Sequence, residues 1–301
     1  MRHHRDTGGC LTDEEDGKAR STPLRNLQPA DLEGYVMTAI ATPAAAPRVV
    51  AHRGASAAAP ENTVAAIRHA AAMGTRWVEV DVSLLGDGTA VLHHDATLGR
   101  TSDASGLLAD IGAADLAGID AGGWHSTPFA GEPIPTLEAA LTVITALGIG
   151  VNLELKPHDA DPAPLARATV AALLARPELA GRVVLSSFDQ GALSVLADSA
   201  PSWPRAPIWH HAPRDWRVSV LGLGASAIHA NSRHLDDSVL EGGRLLGLPV
   251  RCFTVNTVEE ATMLRQRGVA AFFTDLPDLF LCDPDWAAWD RPSPAAASAV
   301  R

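Results

Sequence analysis

Two carboxylates stand inside an apolar run of the chain, Trp77–Val82 (WVEVDV). Because side chains alternate between the two faces of a β-strand, the three valines share one face, and Glu79 and Asp81 share the other. Two carboxylates crowded into an enclosed space repel each other and lose hydration, and a bound cation is the usual remedy. The pattern predicts either a cation site or an exposed edge strand with one solvated face.

A second run, residues 151–156 (VNLELK), has the same alternation: Asn152, Glu154 and Lys156 share one face and two leucines share the other. Glu154 would be a third carboxylate beside Glu79 and Asp81. Three oxygen donors with no cysteine nearby suit a hard divalent ion such as Mg²⁺ or Ca²⁺. Lys156 is placed to meet an anion, and its alternative role is an internal salt bridge to Glu154.

Histidines end two other apolar runs: His52 closes Val49–His52, and His94 follows residues 90–93 (AVLH). Imidazoles titrate near neutral pH, so two of them beside a metal could act as general base and general acid. Arg53, next to His52, adds a planar donor suited to phosphate. These residue types fit acid–base chemistry on a phosphate group beside a metal, whereas a lone histidine at a strand end is more often structural.

These residues belong to a repeating pattern of short apolar runs and longer helical stretches between residues 47 and 282. Strands that alternate with helices predict a parallel sheet with crossover helices. Eight such units favour a closed α/β fold, the (β/α)8 TIM barrel, over an open doubly wound sheet, which is the structural alternative. The candidate strands are Val49–His52, Trp77–Val82, Val151–Leu155, Arg182–Ser186, Ile208–His210, Ala227–Ala230, Val250–Val255 and Ala271–Thr274.

The fifth and sixth strands have the weakest patterns, and they contain His210 and His229, two further histidines that could line a pocket. The clearest helical segments are Glu61–Met73, Leu137–Leu147, Pro164–Leu174, Ser238–Leu246 and Val258–Arg267. Residues 99–134, which follow the second strand region, are rich in Gly, Asp and Ser. We expect a small irregular insertion there with one short helix, and long irregular loops in compact domains are often functional.

Composition excludes several classes of protein. The formal net charge of −11 disfavours binding to a nucleic-acid backbone. The chain has three cysteines without metal-finger spacing, and it has no apolar run long enough to span a bilayer. We therefore expect a small-molecule substrate, no nucleic acid, no stable membrane insertion and a cytoplasmic location; the oligomeric state is left open.

The two ends of the chain differ from its centre. Residues 1–46 precede the first strand, and the polar stretch 1–36 is typical of a disordered extension. We expect a chain that starts at Met37 to keep its activity. The domain itself is expected at residues 47–282, and the tail at 283–301 is expected to pack loosely.

Several short motifs, in a fixed order, together resemble the glycerophosphodiester phosphodiesterase family. Each motif alone is weak, whereas the ordered set over residues 47–280 is specific. The motifs are 52–54 (HRG), 60–63 (PENT), 79–82 (EVDV), 86–101 (GDGTAVLHHDATLGRT), 135–137 (PTL), 154–156 (ELK), 186–188 (SSF), 254–256 (TVN) and 268–277 (G, TD and P).

The resemblance implies a TIM barrel that hydrolyses a glycerophosphodiester to sn-glycerol 3-phosphate and an alcohol. Because Asp95 follows His94, the family's second histidine corresponds to His94 and not to His93. The residues implied are His52 and His94 as the catalytic pair, Glu79, Asp81 and Glu154 as metal ligands, Arg53 and Lys156 on the phosphate, Glu61 and Asn62 as supporting or contacting residues, and Phe188 and Phe253 on the substrate.

Water or the glycerol 2-hydroxyl would be the nucleophile. We favour His52 as the base and His94 as the acid, and the reverse assignment stays open because the sequence does not separate the two roles. The family usually has a tryptophan at the position of Phe253, which predicts altered contact with one end of the substrate. Two alternatives remain: a lysophospholipase D or sphingomyelinase-like phosphodiesterase on the same barrel, and a non-catalytic binding homologue.

Overall fold

The computed structural model of the protein describes residues 48–290, together with the backbone of two short antiparallel strands, β1 (Cys10–Asp13) and β2 (Arg20–Pro23). Apart from these strands, the predicted disordered extension at residues 1–46 lies outside the described residues, as do residues 291–301 of the predicted tail. The boundaries of the extension therefore stay a prediction.

A closed ring of eight parallel strands forms the main sheet. In spatial order the ring runs β3, β4, β6, β7, β8, β9, β10 and β11, and β11 pairs with β3; β5 adds antiparallel to the end of β4. The strands are β3 (Val49–His52), β4 (Trp77–Leu84), β5 (Ala90–Leu92), β6 (Gly150–Leu155), β7 (Val183–Ser187), β8 (Arg205–Trp209), β9 (Ile228–Asn231), β10 (Val250–Phe253) and β11 (Ala271–Thr274). The closure confirms the predicted TIM barrel and excludes the open sheet.

All eight predicted barrel strands overlap observed ones, and the largest shift is in β8. This strand begins at Arg205, three residues before the predicted start at Ile208. Pro204 and Pro207 interrupt the alternation that indicates a strand, because proline cannot donate to a sheet ladder. Arg205 is nevertheless buried, and its guanidinium donates to the carbonyl oxygens of Leu223 and Pro201 at 2.8 and 2.6 Å.

Helices follow most barrel strands, and several begin at a threonine. The side chains of Thr63, Thr136 and Thr257 each accept a hydrogen bond from a backbone N–H in the first turn, which satisfies one of the free donors there. The helices are α1 (Val64–Ala72), α2 (Leu137–Leu147), α3 (Pro162–Leu174), α4 (Gln190–Ser199), α5 (Trp216–Gly222), α6 (Asp237–Leu245), α7 (Val258–Gln266), α8 (Pro277–Leu281) and α9 (Pro284–Asp290).

The alternation in β4 sorts its side chains as the sequence predicts. Val78, Val80 and Val82 are fully buried in the large core between the strands and the helices. Trp77 points into the barrel, where its indole lies against Gly150 of β6; a Cβ at Gly150 would come within 2.3 Å of the ring. Only glycine permits this contact, so the indole fills one level of the barrel interior below the carboxylates.

The insertion at residues 99–134 differs from the prediction of one short helix. It contains three 3₁₀ helices, Leu108–Asp110, Ala113–Gly118 and Thr127–Phe129. Its apolar side chains form a separate small core with β5, and the Oε1 atom of Glu132 accepts a hydrogen bond from the backbone N–H of Ala65 at 3.0 Å. The short turns follow from the many Gly and Asp residues, which favour local turns over a regular helix.

The expectation of loose packing after residue 283 is wrong for Pro284–Asp290. Trp286 is 6% exposed, and Asp290 is 4% exposed. The Oδ1 atom of Asp290 accepts hydrogen bonds from the backbone N–H groups of Arg48 and Val49, both at 2.8 Å. This helix therefore anchors the first barrel strand. None of the helices within residues 48–290 has the length and apolar character needed to cross a bilayer.

Candidate active site

One cavity of about 430 Å³ opens at the C-terminal ends of the barrel strands. Its lining contains residues from distant parts of the chain: His52 on β3, Glu79 on β4, His94 after β5 and Glu154 on β6. In a TIM barrel, this end of the strands carries the active site. The fold therefore brings together both predicted histidines and two of the three predicted metal ligands at one surface.

Three carboxylates form a compact group beside the cavity. One ligand oxygen from each of Glu79, Asp81 and Glu154 lies within 4.8 Å of the others, and the residues are only 2%, 1% and 8% exposed. The Oε2 atom of Glu79 accepts a hydrogen bond from the backbone N–H of Arg53 at 2.9 Å. Its Oε1 atom is buried and has no hydrogen-bond partner in the described part of the chain.

The charges of the group are only partly compensated. Burial, followed by the charge of Asp81, raises the pKa of Glu79 to about 8, and the same causes raise the pKa of Glu154. A cation would offset this repulsion, and the unpartnered oxygen of Glu79 offers it a ligand atom. Because all the donors are oxygens, the group suits a hard divalent ion. The residues present therefore fit the metal that the sequence predicts.

Asp81 is held by three neighbours. Its Oδ2 atom accepts from the amide of Asn62 at 2.8 Å and lies 3.2 Å from Nε of Arg53, and its Oδ1 atom lies 3.3 Å from Nζ of Lys156. Although burial opposes ionisation, the charges of Lys156 and Arg53 hold the pKa of Asp81 well below its usual range. Asn62 lies behind Asp81 and outside the cavity lining, a position that suits support of the carboxylate.

Lys156 both forms an internal salt bridge and lines the cavity, where it could meet an anion. Its ammonium pairs with Glu154 and Asp81, so the internal salt bridge is present. The same side chain lines the cavity, and its Nζ atom lies 5.3 Å from the ring centre of Phe188. Burial opposes its charge, but the carboxylates raise the pKa of Lys156, which keeps the ammonium protonated.

Asp275 is a residue to which the sequence assigned no role. It follows β11, and its Oδ1 atom lies 2.7 Å from Nδ1 of His52 and accepts from the hydroxyl of Ser56 at 2.9 Å. Its Oδ2 atom accepts from the amide of Asn256 at 2.7 Å. Burial lowers the pKa of His52, but the bond to Asp275 and the charge of Glu79 outweigh it and raise the pKa. The sequence feature that could have identified Asp275 is its place in the TD.P motif, directly after a strand.

His94 has a similar partner in the adjacent residue. Its Nδ1 atom bonds Oδ1 of Asp95, and Asp95 in turn pairs with Arg100. Burial lowers the pKa of His94. His93, by contrast, is 4% exposed and its Nε2 atom bonds the carbonyl oxygen of Thr97, so His94 is the member of the pair that lines the cavity.

Glu61 connects the two arginines at the edge of the site. Its carboxylate accepts from Arg53 at 2.7 Å and from Arg100 at 2.7 and 2.9 Å. The backbone near Arg53 is unusual, since Arg53 has φ 57° and the next residue, Gly54, has φ 81°. A Cβ at Gly54 would lie 2.7 Å from backbone and side-chain atoms of Ala66, so glycine is required for this turn to pack against α1.

The far wall of the cavity is aromatic and contains no carboxylate. Phe188, His210 and Phe253 lie with ring centres 4.8 to 5.8 Å apart. His229 also lines the cavity, as the pattern of its strand suggested. The remaining lining residues on this wall include Asn231 and Arg233, which no motif indicated because they follow a strand with a weak pattern.

Comparisons with known proteins show which sequences this chain resembles. The sequence pattern of the glycerophosphoryl diester phosphodiesterase family matches residues 52–279. The Bacillus subtilis protein YhdW is 33% identical over 240 residues, which cover 78% of this chain and 97% of that protein. A glycerophosphodiester phosphodiesterase of Caldanaerobacter subterraneus subsp. tengcongensis is 29% identical over 234 residues, covering 77% of this chain and 96% of the relative.

Solved structures show the same barrel. An Oleispira antarctica phosphodiesterase, in complex with the product sn-glycerol-3-phosphate, superposes with a TM-score of 0.73 at 34% identity, covering 77% of this chain and 94% of that chain. A glycerophosphodiester phosphodiesterase from Agrobacterium tumefaciens superposes with a TM-score of 0.68 at 29% identity, covering 79% of this chain and 100% of the other.

Proposed function

The chain belongs to the glycerophosphoryl diester phosphodiesterase family, and on this premise we propose that it hydrolyses glycerophosphodiesters to sn-glycerol 3-phosphate and an alcohol. It is a phosphoric diester hydrolase. The observation that carries the finer assignment is the cavity itself, in which His52 and His94 face a buried group of three carboxylates.

Glu79, Asp81 and Glu154 would hold the divalent metal, Mg²⁺ or Ca²⁺. Bound there, the ion supplies positive charge and Lewis acidity for a phosphate oxygen. Support comes from the buried, unpartnered Oε1 atom of Glu79 and from the mutual repulsion of the carboxylates. Asn62 and Lys156 would hold Asp81 in position within this group.

The two imidazoles would transfer the protons. Because Asp275 and Asp95 bond the Nδ1 atoms of His52 and His94, the Nε2 atom of each ring remains for the substrate. We propose that Nε2 of His52 takes the proton of the attacking water, or of the glycerol 2-hydroxyl, while the oxygen that loses this proton bonds to phosphorus. Nε2 of His94 then gives a proton to the alcohol oxygen as its bond to phosphorus breaks. Attack by the 2-hydroxyl gives a cyclic glycerol phosphate. Water then opens this ring to sn-glycerol 3-phosphate, while Nε2 of His94 takes the proton of the water and Nε2 of His52 returns its proton to the 2-oxygen.

The charge of Glu79 contributes to the raised pKa of His52, and a cation held by Glu79 would offset that charge and favour the neutral imidazole that a base requires. The negative charge of a bound phosphate would favour the protonated His94 imidazole that an acid requires.

Arg53 and Lys156 would stabilise the negative charge that builds up on the phosphate. Both line the cavity, and both are anchored by carboxylates, so their positions are set before the substrate binds. Such pre-organised charges stabilise a transition state without further reorganisation. Phe188 and Phe253 would contact the organic parts of the substrate from the opposite wall.

The lining of the cavity disfavours the competing phosphodiesterase activity towards lysophospholipids or sphingomyelin. A long acyl chain needs a continuous apolar path out of the site. Beyond the two phenylalanines, the cavity mouth carries His210, Asn231 and Arg233, which are polar. This composition favours a small polar diester.

Release of glycerol 3-phosphate tests the proposal directly. The full chain is incubated with glycerophosphoethanolamine, with added Mg²⁺ or Ca²⁺ and separately with EDTA. We expect product only with the divalent ion, and the same assay on lysophosphatidylcholine measures the competing activity. Binding without product release would instead identify a non-catalytic homologue.

We also propose that the N-terminal segment is not needed for activity and that the protein is cytoplasmic. Residues 1–36 would be dispensable, so a chain starting at Met37 should keep kcat/KM within about twofold, because the cavity lining in the described part of the chain lies between His52 and Phe273. The cytoplasmic location stays a prediction, which cell fractionation tests.

A further inference from the structure

The cavity has two walls of opposite character. Every carboxylate in its lining comes from the wall formed by β3, β4 and β6, which we call the acidic wall. The wall formed by β7 to β11, which we call the aromatic wall, contributes none. The polar and aromatic residues of the aromatic wall that matter here are Phe188, His210, Asn231, Arg233 and Phe253.

Arg233 is the distinctive residue of the aromatic wall. The other two cavity cations, Arg53 and Lys156, are both paired with carboxylates. Arg233 is exposed at the mouth and makes no ion pair with any residue in the ranges that the structure describes. Its guanidinium therefore remains available to an incoming group.

The backbone that carries Arg233 is fixed. The residue lies in the 3₁₀ helix Ser232–His234, directly after β9. The side-chain oxygen of Asn231 accepts from the backbone N–H of Arg233 at 3.0 Å, and its amide lies 3.3 Å from Nδ1 of His210. Asn231 thus contacts both the backbone of Arg233 and the imidazole of His210, which lie close together on the aromatic wall.

The two walls suit the two sides of a diester differently. Glycerol hydroxyls donate hydrogen bonds and match the carboxylates of the acidic wall. The group on the other side of the phosphate then faces the aromatic wall. There, an ammonium group would meet the like charge of Arg233, whereas a carboxylate or a phosphate would form a charge-assisted pair with it.

We propose that Arg233 makes the aromatic wall a subsite for a leaving alcohol that carries its own negative charge. This inference rests on the proposed function and names the substrate class of the same site. The enzyme would then prefer anionic head groups, with Arg233 setting the selectivity and not the chemistry.

Two substrates that differ by one group provide the test. Glycerophosphoserine is glycerophosphoethanolamine with an added carboxylate, so the ratio of their kcat/KM values isolates the effect of that charge. We expect the wild-type ratio to favour glycerophosphoserine, and Arg233→Gln to lower it about five- to tenfold, mainly through the KM for glycerophosphoserine. Arg233→Lys should keep most of the preference, and added salt should reduce it.

Arg214 provides the matched control. It is an exposed arginine in the loop that follows β8, and it lies outside the cavity lining. Arg214→Gln removes the same charge from the same end of the barrel and should leave the ratio unchanged. An equal drop in the kcat/KM ratio in both variants, or no drop in this ratio with Arg233→Gln, would overturn the proposal.

Binding separates this proposal from the proposed function. In the His52→Ala background, titration calorimetry gives the Kd of each diester without turnover. In this background, Arg233→Gln should raise the Kd of glycerophosphoserine about five- to tenfold more than the Kd of glycerophosphoethanolamine. If hydrolysis fails but this shift appears, the subsite stands and the reaction does not; if hydrolysis occurs and the shift is absent, the subsite is wrong.

Discussion

The acidic wall and the aromatic wall of the cavity are built in different ways. Residues of the acidic wall are buried and bonded to one another, as Asp81 shows with its contacts to Asn62, Arg53 and Lys156. On the aromatic wall, His210 and Arg233 are exposed, and neither forms an ion pair with another residue between 48 and 290. Side chains that contact the reacting atoms must be held rigidly, as on the acidic wall. Side chains that select among substrates can lie at the cavity mouth, as on the aromatic wall. The difference suggests that chemistry and selectivity occupy separate walls.

The largest effect is expected at Glu79. Glu79→Gln should lower kcat/KM by about 10³, because it removes a charged metal ligand. Measured in EDTA, the same variant should be more stable than the wild type. The pKa of Glu79 is raised from 4.5 to about 8, so the folded wild type loses stability as pH rises through that range, and the glutamine variant does not.

Thermal unfolding of both proteins between pH 5 and pH 8 measures this difference. Glu138→Gln, on the exposed face of α2, is the control for loss of a carboxylate and should change neither activity nor the pH trend. A fully active Glu79→Gln enzyme would mean that the acidic wall is not where the reaction occurs.

The histidines should come next in size. His52→Ala and His94→Ala should each lower kcat by roughly 10² or more, with a smaller effect on KM, because proton transfer occurs in the transition state. Steady-state kinetics on glycerophosphoethanolamine measures both constants. His69→Ala, on the exposed side of α1, is the control. Turnover near the wild-type value in either variant would remove that imidazole from the mechanism.

A smaller loss is expected at Asp275, which acts through His52. Asp275→Asn should lower kcat about ten- to a hundredfold, because the imidazole loses the carboxylate that orients it. The double variant with His52→Ala should be no slower than His52→Ala alone, since the two residues act as a unit. Additive losses would show that Asp275 contributes independently of His52.

The smallest of these effects is expected on the aromatic wall. Phe253→Ala should raise KM up to about tenfold with little change in kcat, because the ring contributes contact area and no proton. Phe253→Trp, which introduces the residue usual in the family, should change KM less. Melting temperatures of both variants check that the wall still folds. A large drop in kcat for Phe253→Ala would break the proposed division between the walls.

The sequence predicted much of the acidic wall, because its evidence is local. In β4, a polar residue at every second position of an apolar strand indicates an inward-facing site without any knowledge of the fold. The HRG motif, with its glycine two residues after His52, is local in the same way. The aromatic wall was harder to predict, since Pro204 and Pro207 hide the strand before His210 and no pattern marks Arg233.

The amino-acid sequence alone determined which residues could do the chemistry, because residue type and two-residue periodicity are properties of a single strand. Only the tertiary structure decided which of them meet. Closing the barrel through β11 and β3 brings Asp275 to His52 across 223 positions, and it places Arg233 opposite the carboxylates. Such contacts depend on how separate strands are registered around the ring, and no local stretch of sequence contains that information.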